Sequence, residues 1–148
     1  MKQESDSPFV TKAAHGGVAE VELGKLATQR ASSEKVKQFG QRMVDDHSKA
    51  NNELKSLAAS KGMSVSSSMD SESKSTKKRL SALHGSAFDK AYMEDMVKDH
   101  EEDVAEFQKE ADQGTDSDMK SFAAKTLPTL KEHLRMAQDT LETVQKSQ

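Results

Sequence analysis

The sequence predicts an all-α protein, an antiparallel four-helix bundle with a short extra helix between its second and third long helices. One observation is compositional: Ile, Trp and Cys are absent, while the helix-forming residues Ala, Met, Lys, Glu and Gln are frequent. A second is periodicity, because apolar residues recur every three or four positions through four long segments. A length of 148 residues is sufficient for one domain with a single core.

Capping signals predict the first two long helices. Ser7 and Pro8 have the character of an N-cap and a first-turn residue, so we expect residues 1–7 to be disordered and one bundle domain to span residues 8–146. Ser33 is the expected cap of the second helix, and Gly62 is expected to end it. The first two helices are therefore predicted at residues 8–31 and 34–61.

A Ser-rich connection separates these helices from the last two. Residues 62–85 are predicted to form a loop and a short helix near residues 72–83. Thr115 or Asp116 is expected to cap the last helix, and Pro128 is expected to kink it without ending it. The third and fourth long helices are predicted at residues 86–113 and 116–146.

Connection lengths predict the order of the helices. Short turns join the first helix to the second and the third to the fourth, so the members of each pair are expected to be antiparallel neighbours. The longer connection at residues 62–85 allows the third helix to return beside the second. We therefore expect an up-down arrangement.

Each long helix carries one polar residue in the middle of its apolar stripe. At a rise of about 1.5 Å per residue, these four residues lie at similar distances from the turns, within about one helical turn, or two for His133. We expect them to meet at one central level of the core. They are Glu20, His47, His100 and His133.

Three imidazoles and one carboxylate are ligands typical of a transition-metal ion, which the sequence leaves open as Zn, Fe, Cu, Ni or Mn. No Glu-x-x-His occurs at the three histidines, so a mononuclear site is favoured over a di-iron centre. Asp103, Glu22 and Glu53 are possible additional ligands. A hydrogen-bonded Glu–His network without metal is the alternative, since a buried Glu20 also needs a partner.

An acidic residue precedes each of the three histidines and lies beside the buried stripe. Such a residue is placed to accept the second ring N–H of a histidine on a neighbouring helix, which is the usual outer shell of a metal site. Ordinary salt bridges between helices are the alternative. The three residues are Asp46, Asp99 and Glu132.

Several function classes lack support in the sequence. The absence of Cys excludes disulfides and thiolate ligands, and no stretch approaches the roughly 18 apolar residues of a membrane span. Acidic and basic residues are interspersed with a net charge of −3, so we expect no nucleic-acid partner. No hydrolase, phosphate-loop or dinucleotide motif is present, and we name no catalytic residue.

Four blocks resemble a bacterial family of exported proteins catalogued as domain of unknown function 4142 and grouped with ferritin-like proteins. The resemblance covers about residues 9–141 and implies a ferritin-like bundle and export to the periplasm, although residues 1–7 are polar and contain no signal peptide. It implies no established activity. The blocks are AAHGGVAEVELGKLA at 13–27, MVDDH at 43–47, AFDKAYMEDMVKDH at 87–100 and LPTLKEHL at 127–134.

The function expected from these observations is that of a metal-binding bundle protein of the bacterial cell envelope, in metal handling or stress protection. A structural or interaction module with a metal-free polar layer is one alternative. A metal-dependent redox enzyme is another, and it requires an open coordination position.

Overall fold

The structure, a computed structural model, describes residues 2–146, with side chains from residue 6 onward. Within these residues the backbone contains helices and no strand, so the predicted all-α class is confirmed. Met1, at the start of the predicted disordered segment, lies outside the described residues. The five helices are α1 (Lys2–Arg30), α2 (Glu34–Ser60), α3 (Ser71–Ser81), α4 (Gly85–Gln113) and α5 (Ser117–Lys146).

Helix α1 differs from the prediction at its N-terminus. It begins at Lys2 and contains Pro8 inside the helix, whereas the sequence predicted disorder to residue 7 and a start at Pro8. The physical reason is a tertiary contact. Asp6 is buried and accepts hydrogen bonds from the backbone N–H of Thr115 and of Asp116, so this end of α1 is fixed by the α4–α5 turn.

Side-chain caps begin α2 and α5 much as the sequence predicts. The Ser33 hydroxyl accepts a hydrogen bond from the N–H of Val36, at the start of α2. Asp116 accepts the N–H groups of Asp118 and Met119, at the start of α5. Helix α5 continues through Pro128, as expected, since an exposed proline inside a long helix removes only one backbone hydrogen bond.

The long helices associate as two hairpins, α1 with α2 and α4 with α5. The hairpins are joined by contacts of α1 with α4 and of α2 with α5. Helix α4 therefore lies against α1, and the expected return of the third long helix beside the second is wrong. The residues between α2 and α4 are long enough to make this crossing, and α3 packs there against α1 and α4.

Two buried aspartates each accept hydrogen bonds from the turn of the opposite hairpin. Asp89 of α4 accepts hydrogen bonds from the backbone N–H of Ser32 and Ser33 and from the Ser32 hydroxyl, in the α1–α2 turn. Asp6 of α1 accepts equivalent bonds from Thr115 and Asp116 in the α4–α5 turn. These reciprocal bonds fix the two hairpins against each other along their length.

Two glycines allow α1 and α2 to approach closely, about two helical turns from the turn that joins these helices. A Cβ atom on Gly24 would lie 2.6 Å from the carbonyl oxygen of Gly40, and one on Gly40 would lie 2.8 Å from the carbonyl oxygen of Gly24. Real Cβ atoms do not approach a backbone oxygen so closely, so glycine is required at both positions.

The apolar core is divided into two clusters. One contains Leu23, Phe39, Met43 and Met96 among its largest members. The other contains Phe9, Leu54, Phe107, Phe122 and Leu130 among its members. Several polar residues are buried as well, and among them Glu20, His47, His100 and His133 lie near the middle of the four long helices, where they form a polar layer.

No helix among the described residues is both long enough and apolar enough to cross a membrane.

Candidate metal centre

Three histidines from three different helices meet in the interior. His47 is 6% exposed, His100 0% and His133 1%. Their ring centroids are 5.8 Å apart for His47 and His100, 5.3 Å for His47 and His133, and 5.4 Å for His100 and His133. Each offers a ring nitrogen within 4.8 Å of those of the other two. We call these residues the three-histidine centre.

Hydrogen bonds outside the centre fix the protonation of two of the rings. Nδ1 of His100 lies 2.8 Å from the carbonyl oxygen of Met96. Nε2 of His133 lies 2.7 Å from a carboxylate oxygen of Asp46. A carbonyl or carboxylate oxygen only accepts, so these two nitrogens carry the protons and donate. The other nitrogen of each neutral ring therefore has a free lone pair.

One nitrogen of each of the three rings has no hydrogen-bond partner among the described residues. These nitrogens are Nε2 of His47, Nε2 of His100 and Nδ1 of His133, and all three atoms are buried. Buried polar atoms are nearly always hydrogen-bonded, so three unpaired nitrogens in one layer require an explanation. Ligand nitrogens about 3.4 Å apart surround a tetrahedral zinc ion at bonds of about 2.0–2.1 Å. One ring nitrogen of each histidine lies within 4.8 Å of one nitrogen of each of the other two, a range in which the three could hold an ion.

The electrostatics of the layer favour neutral rings. Burial lowers the pKa of His47 well below 6.5, and the neighbouring His100 and His133 lower it further. Burial also lowers the pKa of His100 to about 4, against the opposing effect of its bond to Met96. The pKa of His133 is likewise lowered by burial, although Asp46 acts to raise it. Neutral imidazole is the form that binds metal ions.

Asp46 is part of an ion-pair network at the edge of the centre. Nε of Arg42 donates to Asp46 at 2.6 Å, and the other side of the same guanidinium contacts Glu132 at 3.3 Å. Burial acts to raise the pKa of Asp46, but the hydrogen bonds from His133 and Arg42 outweigh it and lower that pKa. The expected position of Asp46 beside a histidine of a neighbouring helix is thus present. Glu132 itself contacts Arg42, which also donates to Asp46, the hydrogen-bond partner of His133.

The structure places Glu20 beside His100 but in a different group of potential ligands. Its Oε2 atom lies 3.5 Å from Nδ1 of His100, whose proton is already donated to Met96. Glu20, His100 and Asp103 form a second group whose ligand atoms lie within 4.8 Å of one another. Burial raises the pKa of Glu20 well above 4.5, and Asp103 and Asp99 raise it further. The four residues thus share one layer without forming one ligand set.

The other proposed site residues have different surroundings. Glu22 forms an ion pair with Lys77 of α3 at 3.0 Å, and Glu53 forms one with Lys125 of α5 at 2.7 Å. Neither carboxylate belongs to a group of potential ligands among the described residues. Asp99 is partly buried, and burial and the neighbouring Asp95 raise its pKa to about 7. It lines a cavity with Glu20 and Asp103.

Arg42 is a residue of this site that the sequence reasoning missed. It connects Asp46 to Glu132 and also contacts the sulfur of Met136 at 3.8 Å. The sequence does contain a signal for Arg42, because Arg42 and Asp46 are four positions apart and their side chains therefore lie on one helix face.

Comparison with known proteins identifies the family. The family model "Domain of unknown function (DUF4142)" matches residues 1–140. The chain belongs to this family. The DUF4142 match includes all three histidines of the centre, Glu20 and Asp103, so the resemblance seen in the four sequence blocks is confirmed. No curated protein and no solved structure matches the chain.

Proposed function

We propose that this protein binds one transition-metal ion through His47, His100 and His133. The observation that carries the proposal is the set of three buried ring nitrogens without hydrogen-bond partners, one from each histidine. Burial favours the neutral form of the rings, and in His100 and His133 the hydrogen bonds to Met96 and Asp46 hold the proton on one nitrogen, so the other nitrogen has a free lone pair. A metal ion satisfies all three lone pairs at once.

The same observation argues against a metal-free network. A network of that kind needs hydrogen bonds between Glu20 and the histidines, or among the histidines. Among the described residues both Glu20 oxygens and three ring nitrogens lack any such bond. The 3.5 Å approach of Glu20 to His100 involves a nitrogen whose proton is donated elsewhere.

The biological role that we propose is metal handling or protection against stress in the bacterial cell envelope. The envelope location rests on the resemblance to exported proteins. We further propose that the four long helices form a ferritin-like bundle, which the contacts of α1 with α4 and of α2 with α5 support. Three protein ligands leave a fourth position for water, and a cavity of about 20 Å³, the size of one water molecule, touches His47.

The test is a metal titration of protein purified without an affinity tag. We expect one equivalent of Zn²⁺ to bind with a dissociation constant below about a micromolar and to raise the unfolding free energy by about 2.7 kcal/mol at a hundredfold excess over that constant. His47→Gln and His133→Gln should weaken binding at least tenfold. His84→Gln is the control, since His84 is exposed and hydrogen-bonds Arg30.

Two results contradict the proposal. One is the absence of binding by Zn²⁺, Cu²⁺, Ni²⁺, Mn²⁺ and Fe²⁺ below about a micromolar. The other is equal metal affinity in the wild type and in both variants of the centre, with circular dichroism showing that all three proteins are helical.

A further inference from the structure

A cleft lined by acidic side chains lies between α1, α4 and the first turn of α3, with a volume of about 390 Å³. Among the cleft's lining residues, Lys12 supplies a positive charge, and its amine contacts Glu106 at 3.4 Å. We call this cavity the acidic cleft. Its carboxylate residues are Glu20, Asp70, Glu72, Asp99, Glu102, Asp103 and Glu106.

Glu20 is the observation that distinguishes this cleft from an ordinary acidic surface. Its side chain is 3% exposed, and it lines the cleft. Both of its carboxylate oxygens are buried without a hydrogen-bond partner among the described residues. A buried carboxylate without a donor or a cation is costly, by several kcal/mol or more when ionised. The surroundings therefore lack a partner that this side chain requires.

His100 does not supply that partner. Its Nδ1 proton is donated to the carbonyl oxygen of Met96 at 2.8 Å, and its Nε2 atom is one of the unpaired nitrogens of the three-histidine centre. The ring therefore separates two environments. On one side are the other two histidines, and on the other side are the carboxylates of Glu20 and Asp103.

We propose that Glu20 and Asp103 bind a hard divalent cation, of the class of Mn²⁺, Mg²⁺ and Ca²⁺, at a site in the acidic cleft that is separate from the three-histidine centre. The two carboxylates offer oxygen atoms within 4.8 Å of each other. Hard cations prefer oxygen ligands, and Mg²⁺ in particular is commonly held by one or two carboxylates with water in the remaining positions. The volume of the cleft accommodates those water molecules.

The other acidic residues of the cleft add negative charge, which favours the binding of a divalent cation. Asp99 precedes Asp103 by one helical turn, and Glu102 and Glu106 lie on the same helix. Asp70 and Glu72 add charge from the start of α3. A concave surface with one sign of charge concentrates ions of the opposite sign, so the cleft attracts cations toward Glu20.

The experiment is a Mn²⁺ titration followed by electron paramagnetic resonance, on full-length protein first loaded with one equivalent of Zn²⁺. We expect one Mn²⁺ to bind, and Mg²⁺ or Ca²⁺ in excess to displace it. Asp103→Asn and Glu20→Gln should each weaken Mn²⁺ binding at least tenfold and leave the affinity for Zn²⁺ within about threefold of the wild type. Asp112→Asn, an exposed carboxylate on α4, is the matched control and should bind Mn²⁺ normally.

A variant of the three-histidine centre tests whether the two proposed metal sites are independent of each other. His133→Gln should weaken Zn²⁺ binding at least tenfold and keep Mn²⁺ binding, so a failure of either site is seen independently of the other. The proposal is overturned if Mn²⁺ fails to bind, if Asp103→Asn and Glu20→Gln bind it as the wild type does, or if His133→Gln abolishes it. Thermal unfolding of each variant without metal shows that the fold is retained.

Discussion

The ring nitrogen Nε2 of His133 lies 2.7 Å from the carboxylate of Asp46, a residue of the neighbouring helix α2. Asp46 itself precedes another histidine of the same centre, His47. One carboxylate therefore fixes the ring of a histidine on α5, while the next residue in the chain contributes a ring from α2. Because Arg42 also contacts Asp46, the position of the carboxylate is fixed from two sides.

This relationship predicts that Asp46 tunes metal affinity without binding the metal. Asp46→Ala should weaken Zn²⁺ binding roughly 10–100-fold, the usual effect of removing an outer-shell partner. Asp46→Asn should have a smaller effect, since its amide oxygen still accepts the His133 proton. Competition with a chelator of known affinity measures both. Asp45→Ala, an exposed neighbour, is the control, and equal affinity in Asp46→Ala and the control would refute the role given to Asp46.

Glu110 should make stability depend on pH. Burial raises its pKa from 4.5 to about 8, together with a hydrogen bond to Asp6 and the charges of Asp6 and Asp116. Between these pH values the folded protein binds more protons than the unfolded protein, so this group's contribution to stability declines as pH rises from 4.5 to 8 and is constant above that.

Glu110→Gln removes that contribution. In urea unfolding of metal-free protein, the stability of the variant relative to the wild type should increase as pH rises through this range, by at most about 1.4 kcal/mol for each unit of the pKa difference. Glu101→Gln, an exposed carboxylate on the same helix, serves as the control. A difference between Glu110→Gln and the wild type that stays constant from pH 5 to 9 contradicts the assignment.

Substitution of Asp89 should destabilise the protein more than substitution of most other polar residues. It is 2% exposed and accepts three hydrogen bonds from Ser32 and Ser33, so Asp89→Ala leaves buried donors without an acceptor. We expect a loss of roughly 2–4 kcal/mol in the free energy of unfolding, measured by urea denaturation. Asp112→Ala on the same helix should change it by less than about 0.5 kcal/mol. A loss at Asp89 no larger than at Asp112 would show that these bonds contribute little.

The close contact of α1 and α2 predicts a steric effect at Gly40. Gly40→Ala places a methyl group 2.8 Å from the carbonyl oxygen of Gly24 and should cost about 1–3 kcal/mol of stability. Gly16→Ala is the matched substitution, because its nearest neighbour is 3.9 Å away and alanine is the better helix former. Thermal unfolding of the two variants compares them directly. Similar melting temperatures would mean that the helices separate without cost.

Much of the polar layer could be predicted from the sequence, for a physical reason. Helical periodicity determines which residues face the core, and the rise per residue determines their depth. Glu20, His47, His100 and His133 are accordingly all buried in one layer. Periodicity does not determine which helix lies beside which face, so the separation of Glu20 from His47 and His133 into different ligand groups was not predicted.

Which helices lie side by side could be determined only from the structure. The length of the connection after α2 is compatible with a return beside α2 or with a crossing to α1, and the crossing occurs. The early start of α1 was missed for a related reason. Ser7 and Pro8 are a local signal, and the tertiary hydrogen bonds of Asp6 override it.

The reciprocal bonds of Asp6 and Asp89 have a consequence for how the protein assembles. Neither hairpin contains the acceptor that its own turn requires, since each turn is bonded by an aspartate of the other hairpin. The ligand set is divided in the same way, with His47 in one hairpin and His100 and His133 in the other. We therefore expect half of the chain to be an incomplete folding unit, with the docking of the hairpins and the formation of the three-histidine centre occurring in one cooperative step.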